Sequence, residues 1–130
     1  MSDFSTALSI AASGMRSQAS RITHVSENIA NADTPGYRRK LVSFQPDRAP
    51  EAAPGAVVTG PVRLDQTALP QVYDPTHPLA DDTGHYAGSN VDLVVEIADA
   101  RQAQRSYEAN LRVFDQVRQM SSSLSDLLRR

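Results

Sequence analysis

The 130-residue chain has no cysteine and no tryptophan, and its aromatic residues are four tyrosines and three phenylalanines. Without cysteine, neither a disulfide framework nor a thiolate metal site can form. With so few large rings there is little to fill a globular core of this length, and the apolar content falls instead on Ala, Val and Leu. An excess of charge of either sign is also missing. Thirteen Lys and Arg against fifteen Asp and Glu leave a net charge of -2, neither a basic field for nucleic acid nor an acidic solvating tail. No apolar run approaches the roughly 20 residues that cross a bilayer, so direct membrane insertion is not expected. The stretch MSDFSTALSIAASGMRSQAS has no basic n-region and no apolar h-region. The expectation is a cytosolic chain, or one exported without a cleaved signal peptide.

Catalytic signatures are absent too. There is no P-loop, no Gly-rich dinucleotide fingerprint and no H-E-x-x-H, and no Ser has a His and a carboxylate in a recognisable arrangement. His77, Asp81, Asp82 and His85 lie close together. A zinc site needs three or four well-oriented ligands with a supporting shell, and Asp-Asp-Thr-Gly is ordinary turn chemistry. Neither a metal nor any other cofactor is expected. Arg38-Arg39-Lys40 is a basic triplet without interleaved aromatics, which reads as a solvated or subunit-facing patch; no nucleic-acid partner is expected.

What the chain does have is two helical patterns. From Phe4 to Ile29, Leu8, Met15, Ile22 and Ile29 recur every seven residues, as do Phe4, Ala11, Gln18 and Val25. Two such series form the a/d seam of a coiled coil, with Ser2 or Asp3 as N-cap. Ser13 and Gly14 weaken this helix, Gly by about 1 kcal/mol relative to Ala. It is therefore expected to be marginal in isolation and to order on a partner. Asn31, Asp33, Pro35 and Gly36 end it, and residues 41–44 open a short strand or extended arm.

Seven of the eight prolines fall between Pro46 and Pro78, which excludes a helix there. Ala56–Thr59, Pro61–Leu64 and Val72–Tyr73 read as short strand-like pieces, and Gly60-Pro61 as a turn or edge position. The expectation is extended structure with at most a small hairpin, much of it flexible in the isolated chain. Ser89-Asn90 then caps a second helix, with Asp92 and Glu96 placed favourably for its dipole. Its seam runs through Leu93, Ile97, Ala100, Gln104, Tyr107, Leu111 and Phe114, and on through Val117, Met120, Leu124 and Leu127. The fold expected is mainly α. Helices in 1–34 and 90–130 pair as one coiled-coil domain, and 35–89 forms a Pro-rich segment of loops and short strands.

Two stretches are more specific than periodicity. Ser26–Lys40 reads SENIANADTPGYRRK, and Asn90–Glu96 is followed downstream by Arg105-Ser106-Tyr107-Glu108-Ala109-Asn110. The first resembles the N-terminal signature of flagellar rod and hook proteins, roughly N-[LI]-A-N-x-x-T-P-G-Y. The second resembles the C-terminal signature of the same family, and with His77-Pro78-Leu79-Ala80-Asp81 it is most similar to the proximal-rod members. The B-type proximal-rod proteins match R-S-Y-E-A-N less well. One departure is Ile97-Ala98-Asp99-Ala100, where the family often carries Met-rich apolar residues.

The resemblance implies a structural subunit of the basal-body rod, the helical drive shaft that transmits torque and encloses the export channel. Copies of itself, other rod proteins, the flagellar type III export apparatus and MS-ring or adaptor proteins would be its partners, and the periplasmic rod its location. Leu8, Met15, Ile22 and Ile29 are expected to face Ile97, Tyr107, Leu111 and Phe114 of the same chain. Leu93, Val117 and Leu124 extend the assembly surface. Asn28, Asn31, Thr34, Pro35, Gly36 and Tyr37 fix the turn. A rival from another class is a coiled-coil adaptor or secreted effector binding one partner helix. Circular dichroism separates the two, because the adaptor would be stably helical alone and the rod subunit largely unfolded.

Overall fold

The computed structural model describes residues 2–130. Helix α1 spans Ser2–Ala30 and helix α2 spans Leu93–Leu128, with six short strands between them. The mainly helical expectation is met at this level. Asp3 lies inside α1, where it is not the anticipated cap but an acidic residue of the first turn that the helix dipole favours; the cap expected of the Ser2 side chain lies outside what the structure describes. The cap of α2 is Asp92, whose carboxylate accepts from Val94 N–H at 3.0 Å. It was expected at Ser89-Asn90. Ser89 instead accepts from Val91 N–H at 3.1 Å, and Asn90 is drawn into a different set of contacts described below.

The helices run antiparallel. Asn28 near the end of α1 meets Glu96 near the start of α2, Arg21 meets Asp99 and Gln102, and Gly14 faces Asn110. Phe4 shares a cleft with Met120. Ala11 and Val25 of the Phe4 series are buried, as is Ala103 on α2, so small side chains let the helices approach closely. A Cβ added at Gly14 would come within 2.8 Å of the Asn110 amide nitrogen. The residue read as a weakness of α1 is what admits α2.

The contact rows differ from the expected ones. Leu8, Met15, Ile22 and Ile29 are half-buried. On α2 the inward row is Glu96, Ala103, Asn110 and Val117, flanked by half-buried Tyr107 and Phe114. Leu93, Ile97, Leu111 and Leu124 are exposed, by between 37 and 45 %. Periodicity gives the repeat of a seam, but where Ala, Ser and Asn alternate with Leu it does not give the rotation of the helix. Here polar contacts at one end set that rotation.

The middle segment is more ordered than a single small hairpin. Strand β1 (Lys40–Leu41) pairs with β4 (Arg63–Leu64), β2 (Phe44–Pro46) with β3 (Val57–Thr59), and β5 (Gln71–Tyr73) with β6 (His85–Ala87), all antiparallel. The first two pairs form one interrupted arm. Lys40 faces Leu64 and Phe44 faces Thr59, so the register slips by one residue between them, the signature of a bulge. Gly60-Pro61 sits in that slip. Gly60 N–H donates to Ser43 O at 2.8 Å, and Pro61 needs no partner for a missing N–H. Instead of a turn separating two paired strands, Gly60-Pro61 carries both strands along one partner.

The arm lies against α1 through Ser13, which is 2 % exposed. Its hydroxyl donates to Ile10 O and accepts from Val57 N–H. Among the described residues no helix is long and apolar enough to cross a membrane.

Candidate functional site

The residues of the SENIANADTPGYRRK stretch converge at the junction of the two helices. Asn28, 1 % exposed, uses all of its amide capacity. Its Nδ2 donates to Lys40 O at 3.0 Å and to Glu96 Oε2 at 3.2 Å. Its Oδ1 accepts from Lys40 N–H and from the Tyr37 hydroxyl, each at 2.9 Å. A side-chain amide has two donors and an acceptor oxygen with two lone pairs, and none is left over.

The turn is held from within. Asn31 Nδ2 donates to Glu27 O, and its Oδ1 accepts from Thr34 Oγ1. Pro35 cannot continue the helix. Gly36 takes φ +75, the left-handed region in which a Cβ is penalised. Its N–H reaches Ala87 O at 3.1 Å, tying the turn to β6, and Asn90 N–H donates to Tyr37 O.

Glu96 is the other centre of this clasp. It is 0 % exposed and pairs with Asn28 and with the Arg39 guanidinium. Arg39 also contacts Asp99 at 2.9 Å and Asp65 at 3.9 Å. Burial works against the Arg39 charge, but the hydrogen bond and charge of Glu96, with Asp99 and Asp65, outweigh it and raise its pKa. Asn90 Oδ1 accepts from Arg39 N–H at 2.7 Å, and Asn90 Nδ2 donates to Asp65 O and Thr67 O. Arg38 donates to the same two carbonyls. Lys40 reaches Glu27 at 2.5 Å; that hydrogen bond raises the pKa of Lys40 and lowers that of Glu27. Desolvation pushes the Tyr37 phenol up.

The basic triplet read as a solvated or subunit-facing patch is thus spent inside the chain, one residue after another. Glu96, Asn90 and Arg39 were not anticipated as members of the site. A signal was available: an acidic pair at i, i+3 on α2, Glu96 and Asp99, matches a basic run that directly follows the Pro-Gly turn. Helical reading alone gave Glu96 only a dipole role.

Beyond the clasp, Asp65, Asp74 and Asp81 repeat one device. Each is followed two residues later by Thr, and each Oδ1 accepts from that Thr's N–H and hydroxyl. The Thr hydroxyl bond is the main cause lowering each carboxyl's pKa. Asp81 Oδ1 accepts from His85 N–H as well. The His77 ring stacks on Tyr86 with centroids 3.9 Å apart. These groups serve turn geometry, and among the described residues no cluster of three or more potential metal ligands occurs.

Large apolar side chains are also left exposed. Leu93, Ile97 and Leu111 line one flank of α2, Val113, Met120 and Leu127 the other, and Leu41, Phe44, Val58, Val62 and Leu64 are exposed on the arm.

Comparison with known proteins agrees with both ends of the chain. Residues 2–38 match the family described as flagella basal body rod protein, and residues 82–127 match the flagellar basal body rod FlgEFG protein C-terminal family. Along the whole length, the chain is 41 % identical over 136 residues to the flagellar basal-body rod protein FlgC of Agrobacterium fabrum, covering 99 % of this chain and 98 % of the relative. The Salmonella typhimurium protein of the same name is 39 % identical over 117 residues, 85 % of this chain and 87 % of the relative. That of Aquifex aeolicus is 34 % identical over 119 residues, 88 % of this chain and 89 % of the relative.

Proposed function

The chain belongs to the flagellar basal-body rod protein family, and from that premise we propose that it is a structural, FlgC-like subunit of the proximal rod. Membership implies assembly with other rod proteins in the basal body. The observation that carries the reading furthest is the clasp. The family-signature turn and the start of α2 are built around one buried Asn–Glu–Arg centre, so the two matched ends of the chain form one unit.

The finer reading is part of the same proposal. The helices of 1–34 and 90–130 pair as a coiled coil and act together as the polymerising unit, with 35–89 as an accessory segment. Leu93, Ile97, Leu111 and Leu124 meet neighbouring subunits in the assembly, while Tyr107, Phe114 and Val117 pack within the chain. Copies of itself, the type III export apparatus and MS-ring or adaptor proteins are its partners, and the periplasmic part of the rod is its place. A seam of Ala, Gly and Ser offers little burial to a lone chain, at about 25 cal/mol per Å². That favours a subunit that orders fully only when neighbours cover its flanks. The role is read as structural and non-catalytic because the relatives are rod proteins.

The test is to image basal bodies purified from cells lacking this protein. Rings without a completed rod, restored by the wild-type chain, are expected. Complete rods in its absence would overturn the reading.

A further inference from the structure

The middle segment uses one turn device repeatedly. Asp47, Asp65, Asp74 and Asp81 each accept, through Oδ1, the N–H of the residue two places on. His77 takes the same part in the turn between β5 and β6, but with an imidazole. Its Nδ1 accepts from Leu79 N–H at 3.1 Å, and Pro78 between them has no N–H to offer. The ring lies on Tyr86, centroids 3.9 Å apart. His77 N–H donates to Asp74 O and Ala80 N–H to His77 O. Leu79, 64 % exposed, is the large apolar side chain that this turn holds out.

The hydrogen-bond partners assign a tautomer to each histidine of the unit. His77 Nδ1 receives an N–H, so in the neutral ring the proton sits on Nε2. His85 is the reverse. The Thr83 hydroxyl gives its proton to Asp81 at 2.6 Å, so towards His85 Nδ1, 3.0 Å away, its oxygen can only accept. A second proton therefore enters the two rings at different atoms. On His85 it goes to Nε2 and leaves the Thr83 contact intact. On His77 it goes to Nδ1 and turns the acceptor of the Leu79 N–H into a donor.

We propose that His77 is a proton-operated switch on this turn, holding the Leu79 N–H while the ring is neutral and releasing it once the ring is charged. It thereby sets whether Leu79 is presented in one conformation, which loses little freedom on contact with another surface, or in several. On the β5 side the group facing His77 is the Asp74 carboxylate, which feels its charge. On the β6 side stand the Tyr86 ring and His85, whose charge acts on Asp81. Asp82 is exposed, and residues 66–92 contain no lysine or arginine, so no fixed cation of that stretch opposes the second proton. The aspartate acceptors keep their charge until the pH falls below 3.8, whereas an imidazole ordinarily takes up its second proton near about pH 6.5. The contact is thus complete above that range and lost below it, while the aspartate turns on either side hold. The ring can stay on Tyr86 throughout, since a cation is attracted to an aromatic face. None of this depends on the rod reading.

The test follows the Leu79 amide of the isotope-labelled full-length chain by NMR at about pH 8 and about pH 5.5, either side of the imidazole range. Its protection, relative to intrinsic exchange, is expected to fall about two- to tenfold, the worth of one hydrogen bond, in step with the His77 ring signals. The Thr76 and Thr83 amides should hold. At the higher pH the ring nitrogens should show the proton on Nε2 of His77 and on Nδ1 of His85. His77→Asn, whose side-chain oxygen can accept the same N–H, should keep Leu79 protected at both values. The switch is overturned by a Leu79 amide already unprotected at the higher pH, or by protection that acidification leaves unchanged. A loss shared by Thr76 and Thr83, or one that His77→Asn shows as the wild-type chain does, overturns it equally.

Discussion

Arg39 and Glu96 are unequal partners, and the inequality is measurable. Glu96 is wholly buried and depends on Arg39 and Asn28, whereas Arg39 keeps Asp99 at 2.9 Å if Glu96 is lost. Removing one partner of a buried pair costs about 3–5 kcal/mol when the other charge is stranded. Arg39→Leu should therefore lower the unfolding free energy, read from urea titration of the helical signal, by an amount in that range, and Glu96→Leu by clearly less. Equal losses would mean that the carboxylate is not the stranded group. Gly36 gives a second residue-level expectation. A Cβ there meets nothing within 4 Å, so its cost is purely conformational. Gly36→Ala should destabilise by about 1–2 kcal/mol, and Gly36→Asn by less, because Asn visits the left-handed region more readily. The same urea titration reads both. The Gly36 turn was legible in the sequence because Pro and Gly punctuate a chain whatever surrounds them. Glu96 was not, since nothing in a local window says that a carboxylate on a helix will be covered from three other segments.

Helix α1 was legible almost to its ends, because sevenfold repetition over more than twenty residues leaves little choice of element. Its orientation was not: the row judged central is half-buried, and the row containing Gly14 and Asn28 faces α2. Gly14 shows why. On propensity alone Gly14→Ala should stabilise an exposed helix by about 1 kcal/mol, but here the new methyl meets the Asn110 amide. The prediction is that Gly14→Ala gains little or loses stability in the wild-type background, and gains about 1 kcal/mol once Asn110→Ala makes room. Additive effects in that cycle would rule the contact out.

The strands were only partly legible for a related reason. Val57–Thr59 and Gln71–Tyr73 have strand composition, but their partners are set by the Ser13 contact and by the Asp-x-Thr turns. Those turns make the middle segment sensitive to acid. Asp65, Asp74 and Asp81 are held below their ordinary value of 3.8 in the folded chain. Their contribution is therefore complete above that value and is lost as pH falls through the lower folded values. Protection of the amides in residues 65–85, relative to their intrinsic exchange rates, should fall on acidification below about pH 3.8. Thr83→Val, which removes the hydroxyl donor to Asp81, brings the folded value back towards 3.8 and should shrink that acid-dependent loss around Asp81. An acid-dependent loss of the same size in Thr83→Val would refute the role given to that carboxylate.

For the whole molecule, burial and assembly now make separate demands on different leucines and isoleucines. Leu111 is 41 % exposed. Leu111→Asp should leave the circular dichroism of the isolated chain essentially unchanged while abolishing rod incorporation and swimming. Ile22→Asp, at a half-buried position, should disturb both. A motile Leu111→Asp strain would remove that flank from the assembly surface.

The spacing of the clasp in the chain has one more consequence, for timing. Asn28 and Arg39 wait for Glu96, which lies 68 and 57 residues away along the chain, and Arg21 waits for Gln102, 81 residues away. The arm can settle on α1 through Ser13 and Val57 early, but the pairing of α1 with α2 cannot close until most of the polypeptide is present, and closing so long a loop is slow compared with forming local turns. A polypeptide emerging end-first from a narrow conduit would stay unlatched until nearly all of it was out. A product broken off before residue 96 lacks Glu96 and could not close the clasp.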